Sequence, residues 1–171
     1  MRSDLLRQWR WLPVIFWMAV IFSASSDAMS SGHTSRIIGP IVRWLVPTIS
    51  DAALGRVVFA IRKTAHVTEY AVLALLFWWA WRKSVTDRRS VEARGPEAQT
   101  QGAQSRATRV WRWSDALLAL GISAIYAASD ELHQYFVPTR EARFGDVMLD
   151  TAGAALGLLL IWIIGRWRDC W

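Results

Sequence analysis

Four short stretches of this 171-residue chain set ionisable side chains against apolar segments: Lys63, His66 and Glu69 with Tyr70; Asp130, Glu131 and His133 with Gln134; Arg140 and Arg143; and Asp146 with Asp150. Lys63, His66 and Tyr70 are spaced i, i+3, i+7 and share one side of a helix, with Glu69 one position off that line. Asp130, His133 and Gln134 share a face in the same way, with Glu131 beside it. Asp150 follows Asp146 by one helical turn, about 6 Å along the axis. A histidine among carboxylates is equipped to move protons, and paired arginines are equipped to grip phosphate or carboxylate by bidentate bonds. Charge near or inside lipid costs a few kcal/mol per group or more, so residues of this kind mark a cavity, a pathway or a site.

Each residue also has a plainer reading. Lys63 serves as a snorkelling anchor, His66 satisfies a hydrogen bond in the core, and Asp130 or Glu131 pairs with Lys63 or Arg140 to pin helices together. Asp146 caps a helix from its N-terminal end, where the dipole favours a carboxylate. Gly153 and Gly157 form a small-xxx-small pair that allows close helix packing and permits a homodimer. Taken as a set, the residues support recognition of an anionic head group or envelope precursor by Arg140 and Arg143. They equally support hydrolysis or group transfer, with His66 as base and Asp130 or Glu131 as its orienting acid. A metal site built from His66, His133 and carboxylates is the third reading, but the spacing matches no established zinc pattern. There is no phosphate-cradling glycine loop and no nucleophile elbow. Whether the chain is an enzyme, a recognition protein or a structural and assembly protein stays open at this level.

The elements that must position these groups are helices in a membrane. The composition is 53% hydrophobic with 12 Trp and a mean hydropathy of +0.19, which reads as a single membrane domain over residues 1–171. The net charge of +6 does not imply nucleic acid, because the basic residues lie between and beside apolar spans, where they face anionic lipid. A single cysteine, Cys170, forms no internal disulfide and leaves the redox compartment unread. A hydrocarbon core of about 30 Å takes about 20 helical residues. Spans are expected from about Arg10 to Ser26, Ala65 to Trp81, Ser114 to Tyr135 and Phe144 to Trp167, with Ser50 or Asp51 capping a helix that enters the second. The first, behind Arg2, Arg7 and Arg10, reads as a retained signal anchor.

Thirteen Lys/Arg fall on the side of the N-terminal tail, the 82–113 loop and the C-terminal tail, against seven on the other. Ten of the twelve Trp flank the same side. Both patterns predict an all-α, four-span, multi-pass protein of the inner (cytoplasmic) membrane, with cytoplasmic termini and an outward-facing polar site. Ser23, Ser25 and Ser26 then close the outer end of the first span. Residues 84–108, rich in Arg, Ser, Gln and Gly, are expected to be a flexible cytoplasmic linker. Ile37, Ile38, Ile41, Val42, Trp44 and Leu45 recur at helical spacing. They predict a short helix in the outer interface, broken by Pro40 or ended before Pro47, or else a loop packed over the bundle.

With these blocks in order, the chain resembles the VanZ-like family of small integral membrane proteins. The matching stretches are Phe22–Ser26, Lys63-Thr-Ala-His66-Val-Thr-Glu69-Tyr70, Asp130-Glu131-Leu-His133-Gln134 on to Pro138 and Arg140, and Asp146 to Asp150 on to Gly153 and Gly157. Thr139 stands where the family commonly has Gly, before Arg140. The resemblance implies an envelope protein whose partners are membrane lipids, with a cellular link to resistance against the glycopeptide teicoplanin. It supplies no reaction and no cofactor.

Overall fold

The computed structural model describes residues 8–25, 31–92, 111–137 and 143–171. The described residues form five helices, in the order α1 (Leu12–Ser25), α2 (Ser31–Leu45), α3 (Asp51–Glu92), α4 (Trp113–Tyr135) and α5 (Phe144–Trp167), and no strand. Four of them lie where spans were expected. Among the described residues, α5 alone is long and apolar enough by length and composition to cross a membrane, and α1 is a shorter apolar helix.

Local chemistry accounts for the boundaries. Pro13 sits in the first turn of α1, where its missing N–H is no loss. Helix α2 runs through Pro40 and stops at Leu45, ahead of Pro47, which disfavours helical backbone at the residue before it. Helix α3 starts at Asp51, and the Ala53 amide donates to Ser50 Oγ at 3.3 Å, so Ser50 acts as the cap. The chain leaves α5 through Asp169, at φ 49°, one of the few residue types that enter the left-handed region readily. That reversal lets the Cys170 amide donate to the Gly165 carbonyl at 2.9 Å and folds Trp171 back.

One expectation is corrected. Helix α3 is 42 residues long, about 60 Å at the standard rise, far longer than a bilayer core. It continues through residues 84–92, which composition had placed in the linker. Ser84 donates to the Ala80 carbonyl at 3.0 Å and Thr86 to the Arg82 carbonyl at 2.9 Å, so these hydroxyls are satisfied without leaving the helix, and Arg, Lys and Glu are good helix formers. Residues 93–108 of that stretch lie outside the described residues.

Packing is tightest where α3 meets α5, with α4 laid against both and α1 against α3 and α4. The seam is made by glycine: a Cβ at Gly153 would stand 2.5 Å from the Val67 carbonyl oxygen, and one at Gly157 2.9 Å from that of Ala71. The small-xxx-small pair is therefore used within the chain, to bring two backbones together. Around this seam Ile21, Leu73, Phe77 and Leu158 form an apolar core, and polar groups are buried with it. Ile15, Phe16, Leu117, Ile125, Leu156 and Leu160 are exposed, while Ser25, Tyr70, Ser123, Asp130 and Asp150 are buried. An exterior this rich in large apolar side chains marks a surface that meets lipid or another apolar partner. At one end Trp78, Trp111 and Trp171 pack together, with ring centroids 5.0–6.0 Å apart, and the Arg82 guanidinium lies 4.8 Å over Trp78.

Gly153→Ala pushes a methyl into backbone and lowers stability by about 1–3 kcal/mol, as overpacking does. Gly121→Ala, where a Cβ would meet nothing within 4 Å, is neutral or stabilising by up to about 1 kcal/mol. Thermal unfolding of the two variants in detergent, followed by circular dichroism, checks the contrast.

Candidate functional site

The polar residues converge because α1 and α4 end at the same end of the bundle where α5 begins, and α3 passes alongside. Helix α1 brings Ser25 in its last turn, α3 brings Lys63 to Tyr70, α4 brings Asp130 to Gln134, and α5 brings Asp146 and Asp150. The contacts tie the four together. Ser25 Oγ donates to Asp130 Oδ2 at 2.6 Å, and Gln134 Nε2 donates to the same oxygen at 3.0 Å. Lys63 Nζ meets Asp146 Oδ1 at 2.5 Å, each side chain about a quarter exposed at 25% and 27%. His66 Nδ1 lies 3.7 Å from Glu69 Oε2 and 3.9 Å from Asp150 Oδ1. The Arg143 amide, at the N-cap of α5, donates to Glu131 Oε2 at 3.0 Å.

Two further bonds hold α1 against this group. Tyr126 Oη donates to the Met18 carbonyl at 2.7 Å, and Trp17 Nε1 donates to the Glu69 carbonyl at 2.9 Å. Beneath the network, Tyr70 is 0% exposed and Asp150 1% exposed. The Tyr70 hydroxyl, Asp130 Oδ1 and both Asp150 oxygens are buried without a hydrogen-bond partner among the described residues.

Several partners differ from those the spacing led one to expect. Lys63 pairs with Asp146, not with Asp130 or Glu131, so its charge is already balanced. Asp146 therefore does more than serve the first turn of α5: it is the counter-ion of α3. Asp130 and Glu131 are engaged by Ser25, Gln134 and the Arg143 amide, and the carboxylates beside His66 are Glu69 and Asp150. Both lie beyond hydrogen-bond distance of Nδ1, with Glu69 the nearer. His133 turns to α1, where its ring stacks on Phe22 at a centroid distance of 4.3 Å. Among the described residues no group of three or more His, Cys, Asp or Glu side chains is arranged to hold a metal. Of the serines, Ser25 enters the network, whereas Ser23 donates back to the Ala19 carbonyl at 2.8 Å. Ser26 and Arg140 lie outside the described residues, and Arg143 is exposed at the edge of the cluster.

Sequence reasoning missed Tyr126, although it stands four positions before Asp130 and so shares its face. It also missed Asp115, which is buried at the tryptophan end and accepts from Trp81 Nε1 at 3.2 Å; nothing in local spacing points across 34 residues.

The Lys63–Asp146 contact predicts a double-mutant cycle of definite sign. Lys63→Met alone leaves a largely buried carboxylate unpaired and lowers stability by about 1–3 kcal/mol. Adding Asp146→Leu restores most of it, because apolar packing can replace an ion pair that is removed whole. Unfolding midpoints of the wild type, both single variants and the double variant measure the coupling.

No curated protein and no solved structure matches the chain significantly. A profile of the VanZ/LLP1 family matches residues 10–165, a stretch that takes in all five helices but for the last two residues of α5 and contains the whole polar network. By that match, over nearly its entire length, the chain belongs to the VanZ/LLP1 family.

Proposed function

We propose that this VanZ/LLP1 protein is a multi-pass protein of the inner membrane in which α1, α3, α4 and α5 span the bilayer. Both termini face the cytoplasm, and the polar network opens toward the outer leaflet. There it recognises an anionic group of a lipid or cell-wall precursor, and through that group changes the surface met by a glycopeptide such as teicoplanin. The observation that carries the reading is the gathering of Ser25, Lys63, His66, Asp130, Glu131, Gln134, Asp146 and Asp150 from four helices at one end of the bundle, in adjoining polar contacts. Ionisable groups so placed in a bundle surrounded by lipid are costly and mark a site more often than a fastening.

Within the site the roles divide by position. Arg143, exposed at the start of α5, and Arg140 just before it supply the anion grip at the mouth. Lys63 and Asp146 hold the mouth to α3, and His133 and Gln134 line the side toward α1. Tyr70 and Asp150 form the base. The tryptophans and the basic excess at the other end set the orientation. The apolar residues Ile37, Ile41 and Trp44 of α2, 64%, 55% and 80% exposed, lie on the outer lipid interface.

In a Cys170→Ser background, cysteine placed at Phe136 reacts with an impermeant maleimide from outside intact spheroplasts, and cysteine at Trp167 reacts only after permeabilisation. Labelling of both positions from one side sinks the topology. For recognition, native mass spectrometry of the detergent-purified protein finds co-purified anionic lipid or precursor. Arg143→Ala together with Arg140→Ala reduces it about tenfold or more, the loss of charge-assisted bonds to the anion. Unchanged retention removes the anion reading.

A further inference from the structure

At the end of the bundle away from the polar network, α5 carries an open-sided cavity of about 420 Å³ lined by Trp162, Ile163, Arg166, Trp167 and Asp169. That volume falls in the range of ligand pockets, roughly 300–1,000 Å³. Arg166 lies about 24 Å along the helix axis from Asp150, so the cavity is separate from the site described above. Trp162, Ile163, Arg166 and Trp167 are spaced i, i+1, i+4, i+5 and share one face of the last turns. An arginine in a last turn and indoles beside a span are ordinary helix and membrane anchors. The cavity between them, and the fixing of its walls, go further. The Trp162 ring is held from α4 by Trp113 at a centroid distance of 5.5 Å, and its carbonyl accepts from Trp171 Nε1 at 3.4 Å. Gly165 leaves room for the Trp171 ring, which a Cβ there would strike. The reversal at Asp169, φ 49°, is closed by the Cys170 amide on the Gly165 carbonyl and sets Asp169 in the same lining as Arg166. The Arg166 guanidinium and the Asp169 carboxylate make no ion pair or hydrogen bond with each other or with another described residue.

We propose that this cavity seats the head group of an anionic phospholipid of the adjoining leaflet, of the phosphatidylglycerol type. The Arg166 guanidinium binds the phosphate through paired N–H bonds, and the indoles of Trp162 and Trp167 each bring one further N–H donor. The Asp169 carboxylate only accepts. It favours a head group that also donates, as glycerol hydroxyls do, and disfavours one with a second negative charge. Arg166 and Arg168 outnumber Asp169, so the local balance favours a singly charged anion over a neutral zwitterion. The lipid chain has a path as well. Leu156, Leu159 and Leu160, 45–50% exposed, precede Ile163 at helical spacing and run from the cavity into the span. From Leu156 to Arg166 is about 15 Å along the helix, a stripe that a soluble phosphate would leave unused. The inference rests on the reading of α5 as a membrane span and is independent of the anion assigned to the other end.

The test uses the full chain in nanodiscs holding equal amounts of phosphatidylglycerol and phosphatidylethanolamine. One lipid at a time carries a diazirine on an acyl chain, so that both head groups stay native, and crosslinks are mapped by peptide mass spectrometry. Phosphatidylglycerol labels residues 156–169 about tenfold more than phosphatidylethanolamine does, the worth of one charge-assisted hydrogen bond. Arg166→Gln removes that excess and leaves labelling of α1 and α4 unchanged, which also reports that the variant is folded. Arg143→Ala, at the other end, leaves the excess intact. Phosphatidic acid, which lacks the glycerol hydroxyls, labels the stretch less than phosphatidylglycerol in the wild type and as much in Asp169→Asn, a change that keeps the left-handed turn. Equal labelling of the stretch by phosphatidylglycerol and phosphatidylethanolamine overturns the inference, and this comparison needs no variant. If both lipids then label α5 alike, the membrane reading survives without it; absence of label from α5 with either lipid sinks that reading too. Loss of the excess to soluble glycerol phosphate overturns the lipid as occupant.

Discussion

A carboxylate taken out of water must be given donors or a counter-charge, and the polar end of this bundle is organised around that requirement. Asp130 obtains Ser25 and Gln134, Asp146 obtains Lys63, and Glu131 obtains a backbone amide from the start of α5. The Ser25 and Lys63 contacts cross from one helix to another, the Arg143 amide closes the connection between α4 and α5, and the Gln134 bond lies within α4. The need to satisfy the carboxylates therefore sets how α1, α3, α4 and α5 stand to one another at this end. Among the described residues the demand is left unmet at both Asp150 oxygens, at Asp130 Oδ1 and at the Tyr70 hydroxyl, all of them buried.

The rest of the fold provides the rigidity that lets such groups stay buried. Gly153 and Gly157 let α5 approach the backbone of α3 so closely that the seam tolerates no side chain. The register of that seam puts Asp146 level with Lys63 and Asp150 level with His66. At the far end the indoles of Trp78, Trp111 and Trp171 with Arg82 close the bundle by stacking and cation–π contact. The fold thus has an aromatic end, a glycine seam and an acidic end. Membership of the VanZ/LLP1 family covers all three.

Much of this was legible from residue order. The ends of α4 and α5 follow from where apolar periodicity starts and stops, and Ser50 before Asp51 announces the start of α3. The grouping of Lys63, His66 and Tyr70 on one face needed only the helical repeat. The continuation of α3 to Glu92 was not legible, because Ser, Thr and Arg read as linker until their side chains are seen to bond back within the helix. For α2 the sequence left two ends open, at Pro40 or before Pro47, and the helix takes the second, running through Pro40 to Leu45.

Periodicity and composition by themselves determined the helices, the apolar exterior and the roster of polar residues at one end, since each depends on neighbours within a turn or two of the same chain. Only the tertiary structure decided the partners: Lys63 with Asp146, His66 beside Asp150, Ser25 on Asp130, and His133 turned to Phe22. Helical spacing says which residues share a face. Which faces meet, and at what height, depends on the glycine seam between α3 and α5 and on a balance of buried charge summed over four helices.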